Sequence, residues 1–225
     1  MRRSRRIGVV LALLALMTAA IGVGRASADS VGADCVEPVD LVSGSQDLSN
    51  CNLTGVTISA GSALRLSNLS GANLAGATIS GEAALELSNL RGVNLRNATI
   101  SGFVAVGGPN RDVASDVSQA NLSGATISGV GAFPNANLTG SNLRGAAITG
   151  QFALPGANLT GANLTGAMVT GQFAMPDVNL TGATLKDATV TGLSALDRAV
   201  YNDTTCPDGT NSDDNGGTCV GHLAP

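Results

Sequence analysis

Four cysteines and a single histidine are the side chains of this 225-residue sequence with the most reactive chemistry. An even number of cysteines in an exported chain predicts disulfides, and four cysteines allow three pairings. We expect local pairing, Cys35–Cys51 and Cys206–Cys219, because the whole repetitive middle of the chain separates the first two cysteines from the last two. A structural zinc site is the alternative that the sequence opposes, because it has no C-x-x-C motif and His222 is its one histidine.

Amides and acids near the carboxyl end partly match a calcium-binding loop. Asn211, Asp213 and Asn215 alternate along the chain and Gly216 follows them, as in an EF-hand loop. The match is incomplete, because Asn replaces the first Asp and His222 stands where a bidentate Glu belongs. The simpler interpretation is a turn rich in Asn, Asp and Gly that a disulfide holds closed. We therefore expect no metal and no cofactor, and this calcium loop is the one exception to test.

No group of residues in the sequence has the composition of a catalytic site. His222 lies in the tail, and nothing identifiable in the sequence would complete a triad with it. Asp112 and Asp116 are neighbouring acids in the middle of the chain, where a loop would leave both of them solvated. We therefore expect that the protein is not an enzyme.

The amino-terminal segment 1–28 has the features of an export signal. Four arginines occupy positions 2, 3, 5 and 6, an apolar run extends from Ile7 to Val23, and Ala26-Ser27-Ala28 fits an A-x-A cleavage site. We expect cleavage near Ala28 and a secreted or envelope-associated mature chain without a transmembrane span; a membrane anchor is the alternative. Cleavage would leave 16 acidic and seven basic residues, a net charge of −9.

A 21-residue period organises the rest of the chain. Units such as Ala157-Asn158-Leu159-Thr160-Gly161 repeat the order small, polar, aliphatic, polar, glycine. Because alternate residues of an extended segment point to the same side, the aliphatic centre and the small residue two before it face inward. Glycine two residues after the centre allows the backbone to turn a corner. The centres come in groups of three, which begin at positions 48, 69, 90, 117, 138, 159 and 180.

Six further residues in each period predict a fourth side. An alanine followed by a larger apolar residue recurs in every unit, as in Ala132-Phe133. Three five-residue sides and one six-residue side make one coil, so the sequence predicts about seven coils. A narrow four-sided interior also explains why aromatic residues are only 2% of the chain. We expect Phe133 in the core, whereas Phe152 and Phe173 hold a different register and would be partly exposed.

This pattern resembles the pentapeptide-repeat family, whose motif is A-(D/N)-L-x-x. The resemblance implies an all-β fold, a right-handed quadrilateral parallel β-helix. The extra residue on the fourth side departs from the motif and predicts a bulge there. The expected organisation is a signal peptide (1–28), an N-terminal cap (29–45), the β-helix (46–200) and a disulfide-closed tail (201–225).

The third side has the most regular outward surface. Its centres are β-branched in all seven coils, and Thr or Ser flanks most of them in two columns of hydroxyl groups. These columns resemble the Thr-x-Thr faces of β-helical antifreeze proteins and predict, as an alternative function, binding to an ordered surface such as ice or a polysaccharide. Thr and Ser are also ordinary outward residues of strands, and Ala147 and Met168 interrupt one column. The candidate residues are Thr57, Ser59, Thr78, Ser80, Thr99, Ser101, Thr126, Ser128, Thr149, Thr170, Thr189 and Thr191.

One step between successive groups of centres, from position 90 to position 117, is longer than the others. It places an insertion within 107–114. A loop on a rigid scaffold is a common place for function, but neutral insertions are tolerated at such places too. The candidate binding residues of this loop are Pro109, Asn110, Arg111 and Asp112.

The composition favours a structural or interaction scaffold that binds an unidentified extracellular or envelope macromolecule. The family resemblance also implies a different class, the duplex-DNA mimics that bind DNA gyrase. The export signal opposes that class, and so do the nearly neutral coils, which have eight acids and seven bases between residues 46 and 200. Nucleic acid is not an expected partner, because the sequence shows no basic patch. A homodimer through a terminal cap is a further open alternative.

Overall fold

Seven short parallel strands form the rungs of a β-solenoid. The computed structural model describes residues 45–108 and 114–223, and in them the strands pair in chain order within one sheet. Thr57 pairs with Thr78 at the 21-residue period, and only the step from Thr99 to Thr126 is longer. This geometry confirms an all-β solenoid with about six turns between its first and last rungs. The strands are β1 (Thr57–Ile58), β2 (Thr78–Ile79), β3 (Thr99–Ile100), β4 (Thr126–Ile127), β5 (Ala147–Ile148), β6 (Met168–Val169) and β7 (Thr189–Val190).

The other sides of each coil are held by the same ladder of backbone hydrogen bonds. On the first side, Asn68 and Asn89 form a parallel bridge; on the second side, Asn73 and Asn94 do the same. On the fourth side, the Leu64 N–H donates to the Ala84 carbonyl at 2.8 Å. All four predicted sides are therefore present, and each one stacks on its counterpart in the next coil.

The interior is a stack of aliphatic side chains with alanine beside them. The Leu, Ile and Val centres from Leu48 to Leu185 are buried, and nearly all of them are fully covered. Burial of each such side chain contributes about 1.5–3 kcal/mol, so these columns are the main source of stability. Phe133 is fully buried among them, as predicted. Phe152 and Phe173 are partly exposed, also as predicted, and their rings stack with centroids 5.4 Å apart.

Buried hydroxyl groups take the small inward position in several coils. The Ser88 hydroxyl donates to the Leu64 carbonyl at 2.7 Å, and the Ser141 hydroxyl donates to the Val117 carbonyl at 2.8 Å. A buried hydroxyl without a partner would be costly, and these bonds remove that cost while they tie each coil to the one before it.

Glycine serves two different purposes at the corners. After the first and second sides, the corner residue is left-handed, with φ between 63° and 70° at ten glycines. Asn50, Asn97, Gln119 and Asp187 adopt the same conformation, so the corner tolerates side chains. After the third side the reason differs, because an added Cβ at Gly150 would overlap the Gly129 carbonyl of the preceding coil. Close stacking therefore requires glycine along that column, which contains Gly81, Gly102, Gly129, Gly150, Gly171 and Gly192.

The fourth side is a run of turns with no strand among the described residues. Ala63 and Leu64 are adjacent and both buried, so the inward–outward alternation of the other sides is broken there. Left-handed residues stand on either side of this pair, at Ser62 (φ 57°) and Leu66 (φ 63°). This is the predicted bulge, and it accommodates the sixth residue without disturbing the other three sides.

Candidate functional site

The hydroxyl columns of the third side lie where the sequence places them. In the column after the centres, all seven side chains are exposed, from Ser59 to Thr191. In the column before the centres, Thr99, Thr126 and Thr189 are exposed, whereas Thr57 and Thr78 are half-buried. The two interruptions differ: Ala147 leaves a gap, and the Met168 side chain projects with half of its surface exposed.

The hydroxyls of this face are available for an external partner. None of the twelve candidate Thr and Ser side chains makes a hydrogen bond within the described residues. The in-register pairing of β1 to β7 stacks them at the spacing of neighbouring strands, about 4.8 Å. The third side therefore presents donors and acceptors at a fixed repeat along the sheet.

The amide columns of the first and second sides behave differently. The Asn94 side-chain nitrogen donates to the Asn73 side-chain oxygen of the preceding coil at 2.9 Å. The Asn73 oxygen also accepts the backbone N–H of Ala75 at 3.2 Å. These amides are therefore largely engaged in holding the coils together. The sequence shows Asn at these positions but gives no sign that its hydrogen bonds are internal.

The C-terminal tail closes two sides of the last coil. Val200 bridges to Asn179 and Thr205 bridges to Thr184, so the tail begins an eighth coil on the first and second sides. The chain then turns back, and the predicted Cys206–Cys219 disulfide is present, with Cα atoms 5.4 Å apart. Cys51 is also disulfide-bonded, whereas its predicted partner Cys35 lies outside the described residues.

The calcium candidates form part of the tail's own structure. Asn211 precedes a 3-10 helix, Ser212–Asn215, and its side-chain oxygen accepts the Asp213 N–H at 2.9 Å. An Asp213 carboxylate oxygen accepts the Asp203 N–H at 2.9 Å. The Asn215 side-chain nitrogen donates to the Thr210 hydroxyl at 2.6 Å. Within residues 45–108 and 114–223, no cluster of three His, Cys, Asp or Glu side chains could hold a metal ion.

His222 joins the two arms of the tail that the disulfide also links. Its Nδ1 lies 2.6 Å from a carboxylate oxygen of Asp208. Hydrogen bonds from the Thr210 hydroxyl and backbone, and then from His222, lower the pKa of Asp208 to about 2. The contact between His222 and Asp208 therefore has a structural role, because it holds the two arms of the tail together at the surface.

A small cavity of about 220 Å³ remains at the C-terminal end of the solenoid. Val190, Leu196, Tyr201 and Val220 contribute to its lining. The Tyr201 hydroxyl is buried and has no hydrogen-bond partner in the described chain, and burial raises the pKa of Tyr201 to about 12. The cavity lies beside β7, the last strand of the sheet, at the end where a homodimer through this cap would form. That homodimer stays a prediction.

The insertion is anchored firmly at its ends. The Ser115 hydroxyl accepts the Gly107 N–H at 3.1 Å and lies within 3.1 Å of both the Leu85 and the Gly107 carbonyl oxygens. Its candidate binding residues, Pro109, Asn110, Arg111 and Asp112, lie outside the described residues.

Solved structures of pentapeptide repeat proteins are similar to this chain, whereas a search of the curated proteins gives no match. HetL of the cyanobacterium Nostoc sp. strain PCC 7120, a pentapeptide repeat protein involved in heterocyst differentiation regulation, is 23% identical. The alignment covers 73% of this chain and 74% of HetL, with a TM-score of 0.31.

Over the described ranges, no helix has the length and apolar character needed to cross a membrane.

Two further structures are similar over comparable lengths. QnrB1, a plasmid-mediated fluoroquinolone resistance protein, is 16% identical; the match covers 66% of this chain and 80% of QnrB1, with a TM-score of 0.24. A pentapeptide repeat protein of the Arabidopsis thaliana thylakoid lumen is 27% identical; the match covers 59% of this chain and 72% of that protein, with a TM-score of 0.21. The family model named pentapeptide repeats matches residues 67–103 with eight copies. Residues 67–103 are therefore pentapeptide repeats, and the coils on either side of them continue the same β-solenoid.

Proposed function

We propose that this protein is a non-enzymatic interaction scaffold that works outside the cytoplasm or at the cell envelope. The observation that supports the proposal best is the contrast between its faces. Amides on the first and second sides bond to one another, whereas twelve hydroxyl groups on the third side are unengaged and in register within the described chain. Hydrogen-bonding groups that are fixed in place and have no internal partner are suited to contact with another molecule.

The location is tested separately from the binding. A fusion of the complete chain to a reporter that is active only outside the cytoplasm should be active, and the chain purified from the envelope or medium should begin near Asp29. A chain that stays in the cytoplasm with Met1 intact would contradict the location. Binding is tested with the oxidised chain from Asp29 onward, mixed with envelope fractions and with insoluble external polymers.

Recognition of an ordered surface, such as ice or a crystalline polysaccharide, is the second candidate function. It is favoured by the uninterrupted column of exposed hydroxyls from Ser59 to Thr191. Replacement of Thr99 and Thr126 by valine keeps their shape and strand preference but removes two hydroxyls. We expect this variant to lose ice affinity or polymer retention, whereas the double variant Thr160→Val/Thr181→Val should not, because these two first-side hydroxyls already bond to Asn side chains. Equal binding by the two variants would exclude the third side as the contact surface.

A DNA-mimic function has less support from the charge distribution. Four exposed cations, Arg91, Arg96, Arg144 and Lys186, lie on the first and second sides. A surface that imitates a phosphate backbone needs dense negative charge on its long faces. DNA supercoiling by gyrase in the presence of the mature chain is the direct test, and we expect no inhibition.

A further inference from the structure

The basic residues of the coils are distributed unevenly among the four sides. Arg65 and Arg198 lie on the fourth side and are neutralised there, Arg65 by Glu86 at 2.8 Å and Arg198 by Asp177 at 2.6 Å. The other basic residues of the described coils are exposed on the first and second sides, and their charged side chains form no ion pair or hydrogen bond with a described residue. They are Arg91, Arg96, Arg144 and Lys186.

Three of these cations form one regular column. Arg96, Arg144 and Lys186 each follow the centre of the second side, in every other coil. The parallel bridges from Asn94 through Asn121 and Asn142 to Thr184 show that the second side stays in register across these coils. Successive cations are therefore two rungs apart, about 9.6 Å. The sequence hides this regularity, because the insertion lies between Arg96 and Arg144 and makes the first interval longer than the second.

Uncharged hydroxyl side chains fill the rungs between the cations. Ser123 lies between Arg96 and Arg144, and Thr165 lies between Arg144 and Lys186. The backbone of each arginine is also fixed, because its N–H donates to the side-chain oxygen of an Asn two residues earlier, at 3.2 Å for Arg96 and 3.1 Å for Arg144. The column thus alternates positive charge with a hydroxyl group along the solenoid axis.

We propose that this column, Arg96–Ser123–Arg144–Thr165–Lys186, is a binding site for an acidic polysaccharide that lies along the solenoid axis. The polymer's carboxylates would pair with the cations, and its sugar hydroxyls would bond to Ser123 and Thr165. The choice of an external polymer rests on the proposed location outside the cytoplasm.

The charge density favours a polysaccharide over nucleic acid. Duplex DNA has one negative charge per about 1.7 Å of its axis, so a single cation every ~9.6 Å would leave most phosphates unmatched. Widely spaced cations with hydroxyls between them suit a polyuronate, which has one carboxylate per sugar and sugar hydroxyls between successive carboxylates. Arginine also binds carboxylates through two parallel hydrogen bonds, which fixes the orientation of the polymer.

The test is retention of the purified, oxidised chain on immobilised polygalacturonate, with amylose as the neutral polymer and a 30-base-pair DNA duplex as the competing polyanion. We expect retention on polygalacturonate at low salt and none on amylose. The triple variant R96T/R144T/K186T should lose this retention. Threonine is already present in this column at Thr54 and Thr165, so the variant should fold, which circular dichroism and thermal unfolding can verify.

Single variants supply the quantitative readout. Each substituted cation should lower the slope of log affinity against log salt by about one. The matched control is R198Q, which removes one positive charge from the fourth side. Gln119, at a corner after the first side, shows that glutamine tolerates the left-handed backbone that Arg198 also adopts. R198Q should bind within about twofold of the parent chain.

Three results would overturn the proposal: no retention of the parent chain on polygalacturonate, equal retention of the triple variant, or tighter binding to the DNA duplex. None of these depends on where the protein resides, so a failure here is distinguishable from a failure of the proposed location. Conversely, a chain found in the cytoplasm that still binds polygalacturonate through this column would refute only the location.

Discussion

The glycine column after the third side gives the most direct test of how the coils stack. In the variant Gly150→Ala, the added Cβ would lie closer than 3.0 Å to the backbone of Ser128 and Gly129 in the preceding coil, a distance that real Cβ atoms essentially never show. Backbone cannot rotate away as a side chain can, so the two rungs must separate locally.

The loss in the free energy of unfolding can be estimated from the backbone hydrogen bonds that this separation stretches. The Thr149 and Gly150 N–H groups both donate to the Ile127 carbonyl, at 2.9 Å and 3.2 Å. Each of the two bonds costs about 0.5 kcal/mol, the low end of the usual range, because it is stretched and not lost, and overpacking adds about 1–3 kcal/mol. We therefore expect Gly150→Ala to lower the free energy of unfolding by about 2–4 kcal/mol. For a chain of this size the melting temperature should fall by about 5–15 °C.

Gly145→Asn is the matched control, because Gly145 is a corner glycine of the other kind. Its φ is 63°, and an added Cβ would meet nothing within 4 Å. Asn97 occupies the same corner two coils earlier with φ 57°. Asparagine tolerates this conformation, so the variant should lose less than about 1 kcal/mol.

The assay is denaturant unfolding of the oxidised chain followed by far-ultraviolet circular dichroism, with both variants measured beside the parent. Similar losses for Gly150→Ala and Gly145→Asn would refute the distinction between close stacking and left-handed geometry. Ala60 is consistent with the distinction, because it begins the column and no described coil precedes it.

Three further outcomes follow from the tail. Replacing Cys206 and Cys219 by alanine should remove about 3 kcal/mol of local stability, so hydrogen exchange should accelerate in residues 180–223 and stay unchanged in residues 114–160. Tyr201, the one tyrosine, should ionise in an absorbance titration near pH 12; because its folded pKa is raised, its contribution to stability is lost as the pH rises from 10 toward 12, and a midpoint near 10 would show that it is solvated. Asp208 has a lowered pKa, so its stabilising contribution is present above pH 4 and is lost as the pH falls toward 2; Asp208→Asn should remove this dependence, and an unchanged acid unfolding profile would contradict it.

Much of the fold could be predicted from the sequence because every repeat unit has the same order of inward and outward residues. Inward positions such as Leu122 and outward positions such as Ser128 alternate in every coil, and neighbouring units agree on the register. The position of Phe133 followed from the alanine–apolar pair that recurs on the fourth side of every coil. The Cys206–Cys219 pairing could be predicted because the whole repetitive middle of the chain separates these two cysteines from the first two.

Other features escaped prediction because different physical causes select the same residue type. A corner glycine is written identically in the sequence whether it serves left-handed geometry, as at Gly145, or close stacking, as at Gly150. The Asn columns likewise look like an external amide surface until their hydrogen bonds to the next coil are seen. The alternate-rung cations escaped notice because the insertion makes their intervals unequal in sequence, although the bridges make them equal in space.

The nearest-neighbour pairing of the rungs has a consequence for how such a chain can change in length. Duplication of one whole period would add one rung, about 4.8 Å, and leave every other contact in place. A single extra residue within one of the first three sides would instead turn the remaining inward side chains of that side outward. The fourth side avoids this outcome because its turns take up the sixth residue. The insertion between β3 and β4 is tolerated because it begins after Gly108, at the end of the fourth side, and ends before Ser115, at the start of the next coil, so β3 still pairs with β4. The length of this solenoid is therefore counted in whole coils, and other changes in residue number are confined to its corners.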